Sequence, residues 1–283
     1  MAEIPADLAG SSVLFATTGP HSNRVQLRFR KGEKNEKDIF IEVWNERGFV
    51  SSRKVSDKVT KIYNDAVFGS VAWSKDETRV AFIGEKAEPA AYKNYWEDEA
   101  AAPKKEEGED GKKEAEEKKA TYLDEKYKYI DDFGETLIGK KRPALFVFNI
   151  AENTLGEVAG IDTFPTYPVF DETSKGIVFA GVKTPIQKFG MNFCLNRDTK
   201  LYHIRSPVHD SKDLPAEAGY VTCLNPTEFM SICPKFSDDF SKLLYVGAKD
   251  TFISHTGNFQ LRYLKWPPEA ESVLVVDKVK AYP

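Results

Sequence analysis

Serine, cysteine and histidine are the side chains that could carry bond-breaking chemistry in this chain, and their spacing assembles none of the common catalytic constellations. A hydrolase serine usually sits in Gly-x-Ser-x-Gly, which holds its hydroxyl out on a sharp strand-to-helix turn. The nearest approach is Ser12 with Gly10, and it lacks the second glycine. Four histidines, His21, His203, His209 and His255, are scattered, and only His209 has an acid beside it, Asp210. Neighbours on a strand point to opposite faces, so that adjacency does not make a base and its orienting group. Cys194, Cys223 and Cys233 are too widely spaced for a zinc-type pair, and the histidine spacing is read as no ligand set either. Phe68-Gly69-Ser70 and Ile138-Gly139-Lys140-Lys141 hold one glycine each, too few for a loop that cradles phosphate. No catalytic, cofactor-binding or metal-binding residue is therefore assigned, and no cofactor is expected.

The elements that would position any site read as β-strands. Short apolar runs, rich in β-branched and aromatic residues and bounded by Gly, Pro, Asp and Ser, recur along the chain: Val13 to Ala16, Val25 to Phe29, Ile39 to Trp44, Val80 to Ile83, Ala144 to Ile150, Ile177 to Ala180, Lys242 to Val246 and Val273 to Val276. Strands without alternating helices favour an all-β architecture over a parallel α/β sheet.

Three segments, Trp73 to Gly84, Phe170 to Gly181 and Phe236 to Gly247, superpose without a gap. Each has an aromatic, then Ser or Asp (Ser74, Asp171, Ser237), a polar turn, a second aromatic (Phe82, Phe179, Tyr245), a glycine and, two residues on, a lysine (Lys86, Lys183, Lys249). That pattern describes a hairpin whose Ser or Asp oxygen accepts backbone N–H groups in the turn. Allowing for a polar insertion, each unit is roughly 50 to 60 residues, close to a four-stranded propeller blade of about 40 to 50. With an opening unit in residues 11–50, the expectation is a partial β-propeller of about four blades, and a fragment of another near 252–283. None of the tryptophans starts a Trp-Asp dipeptide, which argues against the common repeat carrying that signature.

Within 283 residues, 41% hydrophobic and 12% aromatic, a real core is available. Residues 97–120 hold ten acids and six lysines, with no aromatic or β-branched residue, and read as a solvated, disordered insertion. They account for the whole net charge of −4 and leave 34 charges of each sign elsewhere. A neutral body offers no field for a polyanion, so nucleic acid is not expected as a partner. No run approaches the roughly 18 apolar residues of a membrane span, so no membrane is expected. The start has no signal-like segment, the cysteines do not pair evenly and the one Asn-x-Thr is blocked by Pro226, all of which fit a reducing cytoplasm.

Several stretches carry a resemblance. Asp38 to Trp44, Phe68 to Thr78, Asp131-Asp132-Phe133-Gly134-Glu135 with Gly139 to Pro143, and Gly190 to Arg197 with Leu201-Tyr202 resemble, in order, segments of acylaminoacyl-peptidase (acylamino-acid-releasing enzyme) of the prolyl-oligopeptidase superfamily. Phe133 departs from the family's usual Trp while keeping an aromatic. The resemblance implies the N-terminal part of a seven-bladed propeller that precedes an α/β-hydrolase domain carrying Ser, Asp and His. It implies a serine exopeptidase releasing N-acylated residues from short blocked peptides, this part filtering substrate and enclosing the site. Its partner would be the C-terminal hydrolase domain, with homo-oligomerisation left open. No triad residue falls on a matching position, so the chain alone is expected to be inactive. The alternative is a stand-alone, non-catalytic propeller that docks proteins.

Overall fold

A computed structural model describes residues 13–19, 25–32, 38–86, 132–183, 188, 190–191, 197–209, 213, 220–248, 259–268 and 271–277. They belong to one unit, Met1–Ala87 with Asp132–Pro283. The charged insertion read at 97–120 lies outside the described residues, as do Ser12, Cys194, His21 and His255.

The strands fall into four successive antiparallel meanders of four. The first is β1 (Val13–Thr18), β2 (Val25–Lys31), β3 (Ile39–Asn45) and β4 (Gly48–Lys54). After it, β5 (Val59–Ile62) enters the second sheet, made by β6 (Val71–Trp73), β7 (Arg79–Lys86), β8 (Pro143–Asn149) and β9 (Thr154–Glu157). Both β5 and β6 pair with β7, at opposite ends of it. The third meander is β10 (Phe164–Phe170), β11 (Ile177–Val182), β12 (Thr199–Ile204) and β13 (Val221–Cys223). The fourth is β14 (Met230–Phe236), β15 (Lys242–Ala248), β16 (Gln260–Lys265) and β17 (Val273–Val276). Four blades are thus present, and the stretch read as the start of another supplies β16 and β17, the outer half of the fourth. One parallel pairing, Thr199 with Met230, joins β12 to β14 and makes the third and fourth blades a single sheet.

The apolar residues account for the stacking, because each sheet has two faces to cover. Three buried clusters sit at the three seams between consecutive blades. Leu27, Phe29 and Ile41 of blade one meet Val80, Phe82 and Phe146 of blade two. Phe68, Ile83 and Leu145 of blade two, with Phe133, meet Phe170, Ile177 and Phe179 of blade three. Val178, Ala180 and Leu201 of blade three meet Leu243, Tyr245 and Leu264 of blade four. Phe133 is 1% exposed, its ring 5.5 Å from Phe68 and 5.4 Å from Phe164, so it fills a packing position in this seam.

The repeated hairpin is formed in three of the four blades by the same chemistry. Ser74, Asp171 and Ser237 each donate a backbone N–H across the turn, to the carbonyls of Arg79, Gly176 and Lys242 at 3.0, 2.9 and 2.9 Å. Their side-chain oxygens accept the return N–H of the same three residues at 3.0, 3.2 and 3.0 Å. At the equivalent turn position Glu77, Ser174 and Phe240 all take left-handed φ, 54°, 59° and 56°, although none is glycine. Ser237 Oγ and the Ser241 N–H and hydroxyl donate to Asp239, which holds its carboxyl down at about 2. The turns also meet one another: Asp76 N donates to Ser174 Oγ at 3.1 Å, and the Lys75 ammonium lies 4.8 Å from the Phe240 ring centre.

Candidate functional site

The two described histidines occupy different settings. His203, on β12, is buried and donates from Nε2 to Asp171 Oδ2 at 3.0 Å. Asp171 Oδ1 accepts Thr173 N at 2.9 Å and the Thr173 hydroxyl at 2.5 Å as well. Burial alone would raise the Asp171 carboxyl, but the hydrogen bonds from His203 and Thr173 outweigh it and hold the group below the usual carboxylate range. This is an oriented imidazole, 32 residues from its acid, that adjacency in sequence could not reveal. It locks the β10–β11 turn onto β12, and the Trp266 ring stands edge-on to it at 4.9 Å. Gly176 packs beneath, where any Cβ would lie 1.8 Å from Asp171 Oδ2.

Among the described residues, neither His203 nor His209 is hydrogen-bonded to a serine or cysteine. Burial raises both the Cys223 and the Cys233 thiol, the opposite of what nucleophilic activation needs. His203 and His209 have five residues between them, a spacing that can suit a metal pair, but they engage separate partners, Asp171 and the Glu157 carbonyl. No group of three metal-binding side chains occurs among the described residues.

Among the described residues a cleft of about 500 Å³ lies between blades two and three. Its floor is Val147 and Leu155 from one blade and Phe170 and Ile177 from the other, all buried. Its rim carries Lys58, Arg79, Lys175 and His209, with Glu152 the one acid among the lining residues. Lys58 Nζ donates to the Leu155 carbonyl at 2.7 Å and Arg79 Nη1 to the Ser174 carbonyl at 3.1 Å, which orient both cations without neutralising them. His209 arrives on a strap after β12. Val208 accepts from Ala159 N at 2.9 Å and its own N–H donates to the Tyr220 hydroxyl at 2.7 Å. The imidazole sits over Gly156, where a Cβ would come within 2.2 Å of the ring, and its Nδ1 donates to the Glu157 carbonyl at 3.1 Å. A carbonyl only accepts, so the proton is on Nδ1 and Nε2 remains for another partner.

Blade four has a buried acid with a different role. Glu228, 2% exposed, accepts from Tyr245 at 2.7 Å, Arg262 at 3.1 Å, Ser231 at 3.1 Å, Asn225 at 3.3 Å and Ser272. Asn225 in turn accepts Leu201 N of blade three at 2.8 Å. Five donors on one carboxylate make a filled structural network.

A model of the acylamino-acid-releasing enzyme N-terminal domain matches residues 1–280. The chain is similar to the acylamino-acid-releasing enzyme of Arabidopsis thaliana, 28% identical over 291 residues that cover 99% of this chain and 36% of that protein. It is 25% identical to the Homo sapiens protein of the same name over 290 residues, 94% of this chain and 37% of that one. The chain therefore spans little more than a third of the length of these curated relatives. Among solved structures it is similar to the β-propeller domain of the Trilobed protease from Pyrococcus furiosus, with TM-score 0.44 and 8% identity over 95% of this chain and 57% of that one. It is also similar to the acylaminoacyl peptidase of Pyrococcus horikoshii, with TM-score 0.41 and 9% identity over 91% of this chain and 31% of that one.

Proposed function

From the premise that the chain belongs to the acylamino-acid-releasing enzyme N-terminal domain family, we propose that it is the propeller part of a serine exopeptidase that releases N-acylated amino acids from blocked peptides. The observation that carries the reading is the family match over nearly the whole chain, laid on four consecutive blades. In this reading the Ser-Asp-His triad belongs to a C-terminal hydrolase domain, the principal partner, and this chain supplies selection. The first strands support that role: β10 packs between β6 and β14, so a passage through the ring would run along them. A passage of side-chain width admits a short extended peptide and excludes a folded protein, and enclosure removes water from the reacting groups. Selection of this kind needs no charged residue at the chemistry. The free thiols Cys223 and Cys233 suit a cytoplasmic setting, and among the described residues no helix is long and apolar enough to cross a membrane.

The test is activity of this chain by itself. Incubated with N-acetyl-alanine p-nitroanilide, it should show no turnover above buffer and take up no fluorophosphonate label. Turnover that the label abolishes would place the nucleophile here and overturn the assignment.

A further inference from the structure

We propose that the cleft between blades two and three is a binding site for a small organic acid: one carboxylate on an apolar body. Three observations converge on it. The first is shape, since about 500 Å³ lies within the range of small-molecule sites, usually about 300 to 1,000 Å³. The second is charge. Lys58, Arg79 and Lys175 line the cleft against Glu152 alone, although the chain outside residues 97–120 has equal numbers of both signs. None of the three lies within ion-pair distance of a carboxylate among the described residues, although the Arg79 charge reaches Asp76 and helps to lower its carboxyl, whereas Lys140 is bonded to Asp65 at 2.6 Å and Lys86 to Glu157 at 2.9 Å elsewhere. Solvated surface lysines often lack partners, but here two of the three cations are aimed by carbonyl bonds around one concavity. The third is the pairing of rim and floor. Four buried apolar side chains below a cationic edge suit a ligand with an apolar body and an anionic end, and suit neither a bare phosphate nor a neutral apolar molecule. His209 adds a nitrogen whose tautomer is fixed by Glu157, so Nε2 can receive a hydrogen bond from an amide N–H.

N-acetyl-L-phenylalanine is a suitable probe, titrated into the full chain by calorimetry in 50 mM salt, with N-acetyl-L-phenylalaninamide and inorganic phosphate as comparisons. The acid should bind at least about tenfold more tightly than either, and Lys175→Gln and Lys58→Gln should each weaken it by about three- to fivefold, the range of exposed ion pairs. Lys175 is exposed, and among the described residues its side chain makes no hydrogen bond or ion pair, so its variant leaves the fold intact. Gly156→Ala, which forces His209 off its seat, should weaken the acid while leaving the response to salt unchanged. Equal binding of phosphate and the acid would reduce the site to a nonspecific cationic rim and overturn the proposal. So would affinity for the acid that survives the Lys58→Gln/Lys175→Gln double variant, or no binding of the acid at 10 mM.

Discussion

Replacing Gly176 by Ala tests the Asp171 and His203 lock directly. Gly176 precedes β11 outside the left-handed region, so the added methyl brings no backbone strain. It does bring a collision: the new Cβ would lie 1.8 Å from Asp171 Oδ2 and 2.6 Å from its Cγ, against the 3.0 Å that real contacts respect. The carboxylate must therefore move by more than 1 Å, which breaks its 3.0 Å bond to His203 and leaves a buried imidazole N–H unsatisfied. Losing a charge-assisted bond and stranding its donor costs about 2 to 4 kcal/mol. In an Asp171→Ala background that obstacle is gone, and the next contact is His203 Nε2 at 2.9 Å. There Gly176→Ala should cost less than about 1 kcal/mol, because the stiffer unfolded chain offsets part of it. Urea unfolding followed by tryptophan fluorescence, with Trp266 beside the lock, measures both legs of the cycle. Equal costs in the two backgrounds, within about 0.5 kcal/mol, would refute the geometry.

Three other outcomes follow from the same structure. Phe82→Ala removes a ring that is fully buried between Phe29 and Phe146, at 5.3 and 5.7 Å, and should lower stability by about 3 to 5 kcal/mol in the same urea assay. Tyr245→Phe takes one donor from Glu228 and should cost about 1.5 to 3 kcal/mol, whereas Glu228→Ala, which strands Arg262, should prevent recovery of soluble protein. Asp65 and Asp171 have folded-state carboxyls below the unfolded value of roughly 3.9, so their contribution is complete above about pH 5 and declines as acid protonates them. The urea midpoint should fall between pH 5 and pH 3, and Asp171→Asn should flatten that fall.

The parts of the fold that local pattern determines were legible before the structure. All eight apolar runs are strands, and the three hairpins repeat to the level of individual turn bonds, because the Ser or Asp after the aromatic dictates the turn wherever it occurs. The first strands were harder to see. In β10 two prolines, Pro165 and Pro168, and a left-handed Tyr167 interrupt the run, and β14 carries Pro234 after a left-handed Cys233. Both strands shift register there, and bulges leave no periodic trace in side-chain hydrophobicity. Strands β4 and β9 are polar or short outer strands: β4 buries none of its side chains and β9 only that of Leu155, so they leave little apolar pattern. The cleft was not legible at all: Lys58, Arg79, Lys175 and His209 are 151 residues apart from first to last, and only blade stacking gathers them. The His203 lock escaped because strand pairing within blade three, across 32 residues, brings the imidazole to Asp171.

The link from Thr199 to Met230 has a mechanical consequence. A backbone bond from Thr199 N to the Phe229 carbonyl, 3.0 Å long, carries the ladder from one blade straight into the next. Bending along that line would have to part main-chain pairs, so the last two meanders travel as a single stiff plate in any breathing of the arc.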